Sequence, residues 1–142
     1  MQIPGSFISN SEFETSKIAE EFAGLIKNGD VVVLNGNLGA GKTFFIKSLL
    51  TVYGITDVSS PSFAIVNEYS GKIKVFHFDF FRLKGIEELL DIGWEDYISD
   101  SDAVIFIEWG NMLPEILPAR RIEINISIIN ADKRKFEIKK YE

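Results

Sequence analysis

The chain predicts an α/β fold, a three-layer sandwich around a mixed central β-sheet, and three patterns carry that expectation. The runs "VVVL" (31–34) and "AVIFI" (103–107) are apolar without alternation, as strands buried on both faces are. The first run leads through a glycine-rich turn into a segment with apolar residues at helical spacing, Phe45, Ile46, Leu49 and Leu50. Two further pairs of strand-like runs are split by short turn signals and read as hairpins. Strand–loop–helix units mixed with hairpins belong to layered α/β architecture with a mixed sheet.

Each element has its own signal. In "SEFETSKIAEEFAGLIKNG" (11–29), Ser11 and Glu14 form a capping-box pair. Ile18, Phe22, Leu25 and Ile26 recur on one face, and Asn28-Gly29 is the expected stop. The strand at 31–34 follows, then a helix from Lys42 to Tyr53 with Gly54 as terminator. "FAIVNEY", the turn "SGK" and "IKVFHFDFF" make the first hairpin. "GIEELLDIG" and "WEDYIS" read as short helices, and "DAVIFIEW" as a buried strand. "RIEINISII", the turn "NADK" and "RKFEIKK" make the second hairpin. No linker or internal repeat interrupts residues 1–142, which read as a single domain.

Composition narrows the chemistry. The chain has no cysteine and one histidine, His77, so thiolate zinc sites, cysteine nucleophiles and histidine-rich metal sites are excluded. Its net charge of −6 argues against direct binding to DNA or RNA, which relies on a basic face. The basic stretch "KRKFEIKK" is read as a solvated edge strand whose lysines discourage aggregation, ahead of the alternative of an RNA or partner patch. No apolar run approaches the roughly 18 residues of a membrane span. "MQIPGSFISN" lacks the plan of a signal peptide, so a cytoplasmic location is expected.

Gly36-Asn37-Leu38-Gly39-Ala40-Gly41-Lys42-Thr43 matches G-x-x-x-x-G-K-[ST] at every fixed position. Glycines let successive N–H groups curl around phosphate oxygens, and the helix that follows adds its positive end. Lys42 would reach the β- and γ-phosphates, and Thr43 would give its hydroxyl to Mg²⁺. The expected nucleotide contacts are Asn37, Leu38, Gly39, Ala40, Gly41, Lys42, Thr43 and Phe44, within a P-loop NTPase-like sandwich. The guanine-reading order Asn-Lys-x-Asp is absent, "NADK" having the letters in another order, which favours ATP.

Hydrolysis also needs a carboxylate at the end of an apolar strand. Asp79 ends "KVFHFD" and Glu108 ends "AVIFIE", and at least one is expected to face the metal. Ser59, Ser60 and Ser62 are either γ-phosphate sensors or parts of a polar turn. His77 shares a strand face with Asp79 by the two-residue period, and it reads as a hydrogen-bonded structural residue rather than a proton shuttle.

"GNLGAGKT", "SSPSFAIVNEYSG", "HFDFFRL" and "IEWG", in this order and spacing, resemble the bacterial TsaE (YjeE) family. The resemblance runs from the first helix to the last hairpin. It implies a small cytoplasmic ATPase of the tRNA threonylcarbamoyladenosine pathway, which modifies adenosine 37. Such a protein works on the TsaD and TsaB proteins, with TsaC supplying the threonylcarbamoyl-adenylate. It does not transfer the group itself; its hydrolysis of ATP to ADP resets the complex, and contact with tRNA is indirect. Carried over by position, Lys42 and Thr43 keep their phosphate and Mg²⁺ roles, and Glu108 becomes the second Mg²⁺ ligand. Asp79 matches a functionally important aspartate, Trp109 the tryptophan beside the acidic ligand, and Ser11 lies where the family approaches the nucleotide. Catalysis would thus rest on Lys42, Asp79 and Glu108.

Three positions depart from the family pattern. Phe44 replaces a threonine, Ser62 replaces the threonine of S-P-T, and Phe81 replaces the tyrosine of H-F-D-x-Y-R. Two other classes compete with the ATPase reading. A small-molecule P-loop kinase would need an acceptor pocket and an arginine-bearing lid, of which no segment gives a sign. A nucleotide-dependent binding module would switch conformation with little hydrolysis.

Overall fold

A computed structural model of the chain describes all residues except Ser62 and Phe63. Ser62, one of the three candidate sensor serines, therefore lies outside the described residues. The elements, in order, are β1 (Gly5–Ser9), α1 (Glu12–Ala23), β2 (Val31–Asn35), α2 (Lys42–Thr51), β3 (Val66–Ser70) and β4 (Lys74–Asp79). Then come α3 (Ile86–Asp91), α4 (Trp94–Ile98), β5 (Ala103–Glu108), two 3₁₀ turns, β6 (Arg121–Ile128) and β7 (Arg134–Tyr141).

Among the described residues, seven strands form one mixed sheet in the order β1-β7-β6-β2-β5-β4-β3. β2 lies between β5 and β6 and runs parallel to both, and β4 is parallel to β5. The two hairpins, β3–β4 and β6–β7, are antiparallel, as is β1 against β7. The central strands are buried on both faces, which is why "VVVL" and "AVIFIE" carry no alternation.

The two-residue period of the strands sorts the core into two layers. Val32, Leu34, Val104, Phe106, Ile124 and Phe136 pack with α1 and α2 on one face. Val31, Val33, Phe76, Phe78, Ile105 and Ile107 pack with α3 and α4 on the other. Phe45 of α2 ties the first layer together, with ring centroids 6.0 Å from Phe22 of α1 and 5.5 Å from Phe136 of β7. His77, Asp79 and Glu108 alternate onto the α1–α2 face, beside the loop that enters α2. Sheet and helices form the three layers the sequence predicts.

Three expectations change. The first helix stops at Ala23 rather than near Gly29, because Gly24 turns its N–H back to Glu21 O and Phe22 O. Leu25 is consequently half-exposed, while Ile18, Phe22 and Ile26 still pack on the core. The capping box forms with a shift: Glu14 N–H donates to Ser11 Oγ at 3.1 Å, but the Glu14 carboxylate accepts from Asn10 N–H at 2.9 Å. Most consequentially, β7 is not an edge strand. β1 covers it from Gly5–Ile138 to Ser9–Arg134, so the basic stretch does not guard an open edge.

Candidate functional site

β2 ends at Asn35, and the chain then has to turn sharply into α2. Gly36 lies so close to β6 that a Cβ there would stand 2.8 Å from Ile126 O. Gly41, at the start of α2, adopts φ 105°, a left-handed conformation that glycine holds without strain. No side chain caps α2. Its first turn also lacks acidic residues, whereas α1, α3 and α4 each carry two. The positive end of α2 is thus left for an external anion.

That end opens into a cleft of 760 Å³, within the usual range for small-ligand sites. Its walls include Ser11, Leu38, Gly39, Ala40, Gly41, Lys42, Thr43 and Phe44 from the predicted set, together with Asp79, Glu108 and Trp109. Asn37 stands apart, lining a shallow depression on the far side of the loop with Asn35 and Asn125. Its carbonyl still takes part, accepting from Lys42.

Lys42 folds back over the loop. Its Nζ donates to Gly36 O at 2.6 Å and Asn37 O at 3.1 Å, and it lies 4.1 Å from the ring centroid of Trp109. Burial pulls the ammonium below the usual lysine range, outweighing the opposing attraction of Glu108 and then Asp79. Trp109 itself sits at φ 61°, an uncommon conformation for a bulky residue. It is held there by its N–H bond to Leu34 O at 2.9 Å and by ring packing against Phe81 at 4.7 Å. Gly110 follows because any Cβ at that position would collide with Val33 Cγ1.

Glu108 is buried, and its carboxylate is held by two donors. Thr43 Oγ1 donates at 2.9 Å to both Oε1 and Oε2. His77 Nε2 lies 2.6 Å from Oε2. Asp79 pairs in register with Glu108 across β4 and β5. Its carboxylate accepts from Ser60 Oγ at 2.9 Å and from Phe81 N–H at 2.9 Å, so the aspartate is pinned at the cleft mouth. Ser59 takes a different part: its backbone hydrogen-bonds the Tyr69 hydroxyl at 3.2 Å in both directions, fastening the serine loop to β3.

Arg134, at the start of β7, was legible only as part of a basic run. In the structure it donates from Nε to Ala40 O at 3.2 Å and from Nη2 to Gly39 O at 3.3 Å, bracing the phosphate loop while lining the same cleft. Arg82 also lines the cleft, three residues past Asp79, where the "HFDFFR" motif itself pointed. Asn10, Glu12, Thr15, Ala131 and Asp132 also line the cleft. Among the described residues no cluster of three or more His, Cys, Asp or Glu side chains is placed to hold a metal ion, and no helix is long and apolar enough to cross a membrane.

Known proteins resemble this chain in sequence and fold over nearly its whole length. The protein is 37% identical over 134 residues to the tRNA threonylcarbamoyladenosine biosynthesis protein TsaE of Rickettsia typhi, covering 92% of each chain. It is 39% identical over 123 residues to the TsaE protein of Bacillus subtilis, covering 85% of this chain and 76% of the relative. The crystal structure of Bacillus subtilis YdiB superposes with a TM-score of 0.78 at 31% identity, covering 96% of this chain and 84% of that one. The family model described as threonylcarbamoyl adenosine biosynthesis protein TsaE matches residues 9–136. The chain belongs to the TsaE family, whose members serve tRNA threonylcarbamoyladenosine biosynthesis.

Proposed function

We propose that the protein binds and hydrolyses Mg²⁺·ATP, and that it acts on the TsaD–TsaB complex without itself transferring the threonylcarbamoyl group. The observation that carries this reading is the Thr43–Glu108 pair at the foot of an uncompensated helix N-terminus. A hydroxyl and a carboxylate suit a small, hard cation that keeps several waters and needs few protein ligands. Neighbouring ligands of an octahedral Mg²⁺ with 2.0–2.1 Å bonds stand about 2.9 Å apart. Thr43 Oγ1 stands 2.9 Å from each Glu108 oxygen. Thr43 and Glu108 would hold the Mg²⁺, which would supply Lewis-acid stabilisation of the charge that develops in phosphoryl transfer.

The remaining work falls to the chain's own groups. The α2 N–H groups hold the phosphates in place. Lys42 moves from the Gly36 and Asn37 carbonyls to the phosphate oxygens, exchanging neutral acceptors for charged ones. Asp79, oriented by Ser60 and the Phe81 N–H, keeps a carboxylate at the cleft mouth, where it would orient the attacking water. Trp109 and Phe81 form an apolar rim that limits water around the γ-phosphate. Arg82 and Arg134 add positive charge to the cleft wall.

The decisive experiment is ATP turnover by the purified protein, alone and with the TsaD–TsaB complex. Slow turnover alone and a clear increase with the complex are expected. An unchanged rate refutes the partner-driven part of the proposal, and phosphate transfer to a metabolite favours a kinase. Asp79→Ala is expected to bring turnover to background while the protein remains folded, since neither partner of the Asp79 carboxylate belongs to the core. Normal turnover in that variant would make Asp79 a bystander.

A further inference from the structure

Position 77 is unusual for its strand. Its neighbours in "VFHFDFF" are aromatic, and Phe76, Phe78 and Phe80 fill the opposite core layer. His77 is fully buried on the other face. Its Nδ1 is buried with no hydrogen-bond partner among the described residues. An unpaired ring nitrogen away from water is a cost that a phenylalanine or leucine would avoid. The polar edge of this ring is therefore explained by its other nitrogen.

That nitrogen, Nε2, lies 2.6 Å from Glu108 Oε2, at the short end even for a bond to a charged acceptor. A carboxylate only accepts, so Nε2 carries the proton shared in this pair. Glu108 Oε2 is thereby tied inward to β4, while Thr43 Oγ1 meets both carboxylate oxygens from the cleft side. Glu108 is the last residue of β5 and is buried there, so its carboxylate depends on hydrogen-bond donors within the protein. Parallel pairing of β4 with β5 places His77 opposite Phe106, two residues before Glu108 and on the same face. The ring of Tyr69 backs the imidazole at 6.5 Å, and the Tyr69 hydroxyl is fastened to Ser59.

We propose that His77 is a positioning residue: its Nε2–H fixes the Glu108 carboxylate against Thr43 and so sets how tightly the site takes a divalent cation. The inference rests on the Mg²⁺·ATP reading above and adds to it a residue that touches neither nucleotide nor metal. Loss of such an outer hydrogen bond typically weakens metal affinity 10–100-fold.

The test separates metal affinity from nucleotide affinity. Calorimetry would measure binding of the β,γ-imido analogue of ATP with EDTA and with MgCl₂, in wild type, His77→Phe and His77→Gln. His77→Phe is expected to bind the analogue normally in EDTA and to lose about tenfold or more of the Mg²⁺-dependent gain. His77→Gln, whose amide still donates, should recover much of it. Full Mg²⁺-dependent gain in His77→Phe overturns the proposal, as does equal loss with and without Mg²⁺, which marks a purely structural role. Absence of any Mg²⁺ gain in wild type overturns both this inference and the reading beneath it, so the two failures are distinct.

A second measurement needs no variant, because His77 is the sole histidine. Nitrogen-15 NMR of the imidazole should show the proton on Nε2, with a resonance that shifts when MgCl₂ is added to the analogue complex. A proton on Nδ1, or insensitivity to Mg²⁺, overturns the proposal even where His77→Phe fails to fold.

Discussion

Glu108→Ala is expected to lower ATP turnover by about 10³-fold or more. The substitution removes the buried carboxylate that faces Thr43, and with it the proposed second metal ligand. Lewis-acid stabilisation by a bound metal amounts to several kcal/mol, and about 4 kcal/mol corresponds to that factor. The loss should fall on turnover and on the Mg²⁺-dependent part of binding, while nucleotide affinity in EDTA stays near wild type, because the α2 N–H groups and Lys42 remain. A steady-state assay over a MgCl₂ series checks the first point and calorimetry the second. Turnover within tenfold of wild type at saturating Mg²⁺ would remove Glu108 from the metal site. Stability should also drop, since His77 Nε2 loses its acceptor in a fully buried position.

The parts of this site that were legible in the sequence are those whose geometry is local. The glycine spacing of the phosphate loop dictates its turn, and Thr43 must follow Lys42 into the first turn of α2. Asp79 and Glu108 were recognisable as polar ends of apolar strands. The link between Glu108 and His77 was not, because it depends on β4 lying parallel to β5, a pairing that no short pattern encodes. Strand parity put His77 on one face with Asp79, and the structural reading of that histidine gave it no particular partner. Arg134 went unread for the same reason: its place against the loop arises from the β6–β7 register, 94 residues from the Ala40 carbonyl it binds.

β1 was missed on other grounds. "GSFIS" is short, contains glycine and two serines, and has little strand propensity of its own. Its conformation comes from antiparallel pairing with β7 at the opposite end of the chain. That pairing is also what brings Ser9 to the start of α1. Ser9 Oγ lies 2.7 Å from Thr15 Oγ1 and donates to Ser11 O at 2.7 Å. The wall of the cleft formed by Asn10, Ser11 and Thr15 is therefore anchored by a strand whose existence depends on the C-terminal hairpin. A capping signal located Ser11 on the chain, and long-range pairing located it in the cleft.

Lys42→Met is expected to separate function from stability. Methionine keeps most of the apolar stem and removes the ammonium. In the free protein that ammonium is almost fully buried and bonds to two neutral carbonyls, and its burial outweighs the attraction of Glu108 and Asp79. Deleting it relieves a desolvation cost, so the melting temperature of the free variant should lie within about 3 °C of wild type or above it. Nucleotide binding should respond in the opposite way. Truncating one partner of a buried charged contact typically costs about 2–5 kcal/mol, a weakening of roughly 30-fold or more. Thermal melts of the free protein, paired with calorimetric titration of Mg²⁺ and the imido analogue, read the two effects independently. A variant that loses binding only because it is unstable would melt well below wild type, and that result would return Lys42 to the scaffold. A stable variant that no longer holds the nucleotide identifies the lysine as a buried charge whose desolvation cost the phosphates repay.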